Sequence, residues 1–174
     1  MHIIGILIAV ATLIYWISRA SKGVGDIADA ANTVANLPRR RRFSKKYHQS
    51  GYDLVETPVE AATVLMISTA KMGMVKRITP EEEGRIIDHL SKSMGLDADD
   101  ADGLYRQMHS LTYDLTLPEN ALFPMTAILK ADIDKKDAEE LANMMDNVAA
   151  SSGEATQEQK EFIRRYRERM GLLY

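Results

Sequence analysis

The chain has 174 residues, of which 45% are apolar and 27% are charged, and this composition excludes a chain that is disordered throughout. The absence of cysteine excludes disulfides, thiol chemistry and zinc or iron–sulfur sites with thiolate ligands. The formal net charge is −3, but basic residues are concentrated near residue 40 and the C-terminal two-thirds is acidic. The length allows one folded domain after an N-terminal segment.

Residues 1–21 are predicted to form a transmembrane anchor. Residues 3–17 contain no charged side chain and would extend about 23 Å as a helix, with Tyr15 and Trp16 at the membrane interface. A cleaved signal peptide is the alternative, but no Lys or Arg precedes the apolar run, and a secretory signal normally begins with basic residues. Because basic residues follow the run, the N-terminus is predicted to be periplasmic and the rest of the chain cytoplasmic. The sequence therefore predicts a single-pass protein of the bacterial inner membrane.

Residues 22–56 are predicted to form an amphipathic and basic linker. Apolar residues recur at helical spacing over residues 24–36, with Asp26 and Asp29 among them. Pro38 ends this helix, and a basic cluster follows: Arg39, Arg40, Arg41, Arg42, Lys45 and Lys46. We interpret the basic cluster as a topology signal and as a lipid-surface contact of about 1 kcal/mol per basic residue. Nucleic-acid binding is not expected, because the cluster is short and no nucleic-acid reading module accompanies it.

Residues 57–174 are predicted to form an all-α domain of five or six helices. Thr57-Pro58 opens the first helix, which runs to about Met74 with a stripe of small and medium apolar residues. Capping boxes at Thr79 and Thr156 open two further helices. Three more helices are predicted to begin at the carboxylates of residues 97–102, at Leu117-Pro118-Glu119 and at Asp134. Pro124 is expected in the first turn of its helix or at a kink. Gly95 and Gly171 are expected to end helices.

Several residue groups could suggest a catalytic or metal site, but each has a simpler interpretation. The aspartates at residues 97–102 and 132–137 lack the calcium-loop pattern and are expected to stabilise helix N-termini. His89 and His109 could approach one another across helices, although a solvated or core-edge position is favoured over metal ligation. Nine of the ten methionines, Met74 among them, are mostly expected on inner helix faces, where they fill the core, and an adaptable partner-binding groove is the alternative. No nucleotide-binding loop, nucleophile elbow or HExxH motif occurs, so no enzymatic activity is expected.

Two stretches of the predicted domain repeat one another. Residues 78–96 (ITPEEEGRIIDHLSKSMGL) are similar to residues 155–172 (ATQEQKEFIRRYRERMGL), and each follows a small-residue helix and a glycine-containing turn. This unit resembles the tellurite-resistance TerB-like helical domain, and residues 147–172 match the family pattern best. The resemblance covers roughly residues 58–172 and implies a compact TerB-like helical bundle after the transmembrane helix.

The same resemblance implies acidic residues in the two turns, which in some family members bind a divalent cation. Here Ser152 stands where the acid of the second turn would be, and the first turn contains Lys76. The remaining candidate ligands are Glu154, Glu158 and Glu161. Because hard cations require several converging oxygen ligands, we expect no metal site and no cofactor.

These observations predict a membrane-anchored, non-catalytic protein-interaction module on the cytoplasmic face of the inner membrane. The expected partners are membrane lipid and a membrane protein or complex, with no small-molecule substrate. One alternative is an accessory subunit of a larger inner-membrane complex, such as a respiratory one. Another is a divalent-cation or tellurite-stress sensor.

Overall fold

A computed structural model describes residues 51–113 and 117–172, and within them the chain is all-α, with no strand. The predicted fold class is therefore confirmed for this part of the chain. The six α-helices are α1 (Pro58–Lys71), α2 (Pro80–Asp88), α3 (Ala98–Tyr113), α4 (Leu122–Asp132), α5 (Lys135–Ala149) and α6 (Gln157–Met170). Two 3₁₀ turns, Gly51–Leu54 and Pro118–Ala121, precede α1 and α4, and a π-helical turn, His89–Ser93, extends α2.

Helix α1 is the centre of the bundle. All its residues from 61 to 70 are buried, because each of the other five helices packs against it. The predicted apolar stripe is buried, and so are the positions between its members, which the sequence did not predict. A central helix has no solvent-facing side, and its hydroxyl groups are instead satisfied within the helix: Thr63 donates to the Val59 carbonyl and Thr69 to the Leu65 carbonyl.

The helix starts follow the predicted caps. Each of the three cap residues, Thr57, Thr79 and Thr156, makes two reciprocal hydrogen bonds. The threonine side chain accepts from the backbone N–H three residues later. The side chain of that later residue accepts from the backbone N–H of the threonine. Such reciprocal bonds satisfy N–H groups that have no partner inside the helix. At the other end, Gly171 has φ +72° and closes α6 in the left-handed conformation, as predicted.

Two helix boundaries differ from the prediction. Helix α1 ends at Lys71, with Met72 as its C-cap, instead of continuing to Met74. The fourth helix does not begin at Pro118, because residues 118–121 form a 3₁₀ turn and α4 starts at Leu122. Pro124 then lies in the first turn of α4, where its missing N–H removes no intrahelical bond.

The methionines mostly occupy the core, as expected. The buried ones are Met66, Met72, Met108, Met125, Met144, Met145 and Met170. Met74 is the exception, with 87% of its surface exposed, so its prediction as a core residue was wrong. Its position in the turn after α1 places it outside every helix-packing face.

No helix among the described residues is both long and apolar enough to span a bilayer. The predicted anchor (residues 1–21) and most of the predicted linker (residues 22–56) lie outside the described residues. The transmembrane prediction therefore remains a prediction.

Candidate interaction site at the two helix turns

The turn between α1 and α2 is held against the turn between α5 and α6 by side-chain hydrogen bonds. Thr156 Oγ1 donates to the Met72 carbonyl at 3.0 Å, and Ser152 Oγ donates to Glu82 Oε1 at 3.1 Å. Gln159 Nε2 donates to the Thr69 carbonyl at 3.1 Å. We call Glu82, Ser152, Thr156 and Gln159 the inter-turn clasp. It joins residues that are 70 to 90 positions apart in the chain.

Glu82 and Gln159 both occupy the third position of their helices, and each accepts a hydrogen bond from the N–H of its capping threonine. Glu82 Oε2 accepts from the Thr79 N–H at 2.8 Å, and Gln159 Oε1 accepts from the Thr156 N–H at 2.9 Å. Both side chains are only 1% exposed. The capping-box pattern predicted these local bonds. It did not predict that the second polar atom of each side chain bonds across the turns, because that contact depends on tertiary packing.

Gly73 permits the close approach of the two turns. A Cβ added at this position would lie 3.0 Å from the Ala70 carbonyl oxygen, 3.2 Å from Glu82 Oε1 and 3.5 Å from Gln159 Nε2. The first two distances are tighter than ordinary Cβ contacts, so a larger residue would require the Ala70 carbonyl and the Glu82 side chain to shift. The close approach at this glycine was not predicted from the sequence.

The clasp contains a single carboxylate and does not fit a divalent cation. The Gln159 amide points its NH₂ group at the Thr69 carbonyl, and its orientation is fixed because Oε1 already accepts from the Thr156 N–H. Thus a hydrogen-bond donor stands where a cation would need an oxygen ligand. Within residues 51–113 and 117–172, no group of three acidic or histidine side chains converges on a point.

The three carboxylates considered as weak metal candidates do not converge. Instead, each pairs with a basic side chain: Glu154 with Lys160 at 3.2 Å, Glu161 with Arg164 at 2.7 Å, and Glu158 with Lys76. These exposed ion pairs are worth little individually, but each carboxylate is turned toward a different basic side chain. The structure therefore does not bring the candidate ligands together.

The turn held by the clasp presents an apolar and basic tip to solvent. We call Met74, Val75, Lys76 and Arg77 the α1–α2 tip. Met74 is 87% exposed and Val75 54% exposed, and Lys76 has φ +53°, in the left-handed region that only a few non-glycine residues adopt. This tip was not predicted from the sequence, because Met74 was expected on an inner helix face.

The aspartate clusters have the predicted role at Asp97 and Asp134, but not at Asp132, which is the last residue of α4. Asp97 accepts from the Asp100 N–H at 2.8 Å, and Asp134 accepts from the Asp137 N–H at 2.8 Å. Asp102 pairs with Arg106 one turn further along α3. Asp97 and Asp134 therefore cap α3 and α5, and Asp102 pairs within α3.

The two histidines of the domain are each engaged locally. His109 stacks on Tyr105 with ring centroids 5.6 Å apart, and it contacts Tyr113 edge-on. His89 Nδ1 is 3.5 Å from Ser93 Oγ, and its buried Nε2 has no hydrogen-bond partner among the described residues. Burial lowers the pKa of both imidazoles, and the neutral form is favoured. No contact between the two rings occurs in the described part of the chain.

The lipid-surface residues predicted from sequence cannot be placed relative to this site. The six residues of the basic cluster, Arg39 to Arg42 with Lys45 and Lys46, lie outside the described residues. Their assignment stays a prediction from charge and position.

Comparison with known proteins supports the resemblance drawn from the repeated unit. The family model described as "Tellurite resistance protein TerB" matches residues 60–173, which includes α2 to α6 and all but the first two residues of α1. Neither curated proteins nor solved structures gave a significant match.

Proposed function

The chain belongs to the TerB family, and from this premise we propose that it is a membrane-anchored, non-catalytic protein-interaction module on the cytoplasmic face of the inner membrane. The N-terminal sequence supports the anchor and its orientation through its apolar run and the basic residues that follow. The described domain supports the interaction role through the α1–α2 tip.

The tip carries this proposal because its apolar side chains are exposed on a turn whose backbone is held in place. The clasp fixes the residues immediately before the tip, through the Thr69 and Met72 carbonyls. Within the tip, the Lys76 N–H donates to the Gly73 carbonyl at 3.1 Å. A turn that is already ordered loses little conformational entropy on binding. Burial of Met74 and Val75 by a partner would then contribute on the order of 25 cal/mol per Å² of apolar surface.

The two basic residues of the tip indicate which charge a partner would carry. Lys76 is paired with Glu158. Arg77 is exposed, and among the described residues no carboxylate forms an ion pair with it. A complementary partner would have an apolar pocket for Met74 and a carboxylate at its rim.

The test is affinity purification of the tagged full-length chain from its native membrane in mild detergent, followed by mass spectrometry. We expect a membrane-protein partner to be retained by the unaltered chain and lost from a Met74→Asp/Val75→Asp variant. Ala131→Asp, on an exposed position of α4, is the matched control and should retain the partner. Retention by both variants would exclude the tip as the binding surface.

The same experiment distinguishes the first alternative function. Recovery of a stoichiometric membrane complex would assign the chain as an accessory subunit of that complex, for example a respiratory one. Recovery of the chain alone would contradict the interaction module. The divalent-cation or tellurite-stress sensor is the least favoured of the three functions. A cation site needs several converging oxygens, whereas the clasp offers one carboxylate and an amide NH₂ group.

A further inference from the structure

The π turn at the end of α2, His89–Ser93, corresponds to one extra residue in the first of the two repeated units. Thr79 and Met94 are 15 positions apart, whereas the equivalent Thr156 and Met170 are 14 positions apart. Each methionine is followed by a glycine in the left-handed conformation, with φ of +75° and +72°. The Met94 N–H donates to the carbonyl of the first residue of the turn at 3.1 Å. Such a bond spans one residue more than an α-helical bond, so the π turn accommodates a single insertion.

The π turn keeps apolar side chains in the core after the insertion. Before it the two units agree, since Ile86 and Ile163 each lie seven positions after their capping threonine and are both buried. After it, Leu90 is buried where the second unit has the buried Tyr166. An uninterrupted α-helix would instead place His89 in that position and rotate Leu90 away by about 100°. The insertion therefore leaves a histidine at the edge of the core.

The inner nitrogen of His89 has no partner in the π turn. Its Nδ1 is 3.5 Å from Ser93 Oγ, whereas its Nε2 is buried and makes no hydrogen bond within residues 51–113 and 117–172. The neutral imidazole tolerates this position, because it carries only one proton, which can lie on Nδ1. The imidazolium carries a proton on both nitrogens. Protonation would therefore bury a charged N–H donor without an acceptor, which is unfavourable.

The surrounding charges do not compensate for this burial. Burial lowers the pKa of His89 most, Arg85 lowers it further, Asp88 raises it and Lys92 lowers it. Asp88 is itself paired with Lys92 at 3.0 Å. Helix α3 also packs against the π turn, but in the described part of the chain no titratable group outside α2 and the π turn shifts this pKa. The titratable side chains of α3 are those of Asp99, Asp100, Asp102, Tyr105, Arg106 and His109.

We propose that the π turn is a pH-sensitive device that opens when His89 becomes protonated. In the open state the imidazolium is in water, and Leu90, Met94 and the connection to α3 are released from the core. The pKa of His89 is lower in the closed state than the ordinary imidazole value of about 6.5. The closed state is therefore favoured fully above about pH 6.5 and loses stability as the pH falls below that value. The device requires neither the membrane anchor nor a partner, so it can fail or succeed independently of the proposed function.

Hydrogen–deuterium exchange of the full-length chain, purified in mild detergent, tests the device at about pH 5 and about pH 7.5. Residues 90–96 are compared with residues 167–172, the corresponding segment of the second unit, which follows Tyr166 instead of a histidine. After correction for the intrinsic effect of pH on exchange, residues 90–96 should exchange several-fold faster at the lower pH. The ceiling is about thirtyfold, which an ordinary imidazole pKa of about 6.5 sets. Residues 167–172 should show no such acceleration.

A substitution shows whether His89 is responsible. His89→Gln keeps a polar side chain that cannot become charged, so the faster exchange of residues 90–96 should disappear. His109→Gln, the matched control on α3, should retain it. Equal acceleration of both segments in the unaltered chain would overturn the proposal, and so would acceleration that persists in His89→Gln.

Deletion of His89 tests the register argument separately. The first unit then has the length of the second, so Leu90 and Met94 should reach the core on an uninterrupted α-helix. We expect this variant to remain folded, as measured by circular dichroism, and to show no acceleration of residues 90–96 at about pH 5. Loss of the fold on deletion would contradict the assignment of the π turn to a single inserted residue.

Discussion

At the scale of single residues, the pair Glu82 and Gln159 shows how one atom changes the chemistry of a site. Both side chains accept a hydrogen bond from the N–H of their capping threonine. The carboxylate of Glu82 accepts a second bond from Ser152, whereas the amide of Gln159 donates to the Thr69 carbonyl. A carbonyl and a second carboxylate would repel one another unless a cation lay between them. With an amide in that position, the two turns associate without a cation.

A double substitution should therefore introduce metal dependence. Ser152→Asp/Gln159→Glu would place two further carboxylates beside Glu82 and the Thr69 carbonyl. We expect this variant to be destabilised without metal by a few kcal/mol, since buried like charges lack compensation, and to be stabilised by millimolar Ca²⁺. Thermal unfolding with and without Ca²⁺ measures both effects.

The unaltered chain and a Glu154→Gln/Glu161→Gln variant are the controls for this experiment. Neither should show a shift of Tm with Ca²⁺, because their clasp retains the Gln159 amide. A Ca²⁺-dependent rise in the Tm of the unaltered chain that disappears in the glutamine variant would show that the weak candidate ligands do bind metal.

At the scale of helices, the threonine caps are similar in sequence but differ in tertiary role. Thr57, Thr79 and Thr156 all cap their own helix. Thr156 additionally donates its hydroxyl proton to the Met72 carbonyl, which joins the start of α6 to the end of α1. Its removal therefore affects two elements, whereas removal of the others affects one.

Alanine substitution of the three caps should reveal this difference. We expect Thr57→Ala and Thr79→Ala each to lower the free energy of unfolding by about 1 kcal/mol, and Thr156→Ala by about 2 kcal/mol, because a partly buried carbonyl also loses its donor. Denaturant titration of the three variants measures the difference. Thr156→Ser, which keeps the hydroxyl, should restore most of the loss. Equal effects of all three alanine variants would show that the bond to Met72 contributes nothing.

At the scale of the whole molecule, charge divides the chain into two parts. Residues 1–50 contain eight Lys and Arg against two Asp, and residues 51–174 have an excess of acidic residues. The basic part would be attracted to an anionic membrane and the acidic domain repelled by it. Combined with the predicted anchor, this division would hold the N-terminal part at the lipid surface while the domain faces the cytoplasm.

Extraction experiments separate the anchor from the electrostatic contact. The full-length chain should remain in the membrane fraction after high-salt and alkaline washes, because burial of an apolar helix does not depend on salt. A variant lacking residues 1–21 should bind anionic vesicles at low salt and dissociate at high salt, since the contact is then screened.

Substituting the six residues of the basic cluster by Gln in that shortened variant should remove up to about 6 kcal/mol of vesicle binding. Immunoblotting of pellet and supernatant measures all three cases. Release of the full-length chain by salt alone would contradict the transmembrane prediction.

The sequence by itself determined the helical class, the family and most helix starts. Caps are local, because Thr79 and Thr156 bond to groups only three residues away, so a short pattern is sufficient to recognise them. The similarity between the two repeated units, and with it the resemblance to the TerB family, depended on these caps and on the MGL sequences that follow them. The sequence also predicted, correctly, that Asp97 and Asp134 cap helices.

Only the tertiary structure decided which polar and apolar residues are available for function. Helix α1 is buried on every side because five helices surround it, and no periodicity within its sequence could indicate that number. Met74 is exposed because the clasp ends α1 and the chain then turns outward. These outcomes depend on contacts between residues far apart in the chain, whereas the caps depend only on neighbours.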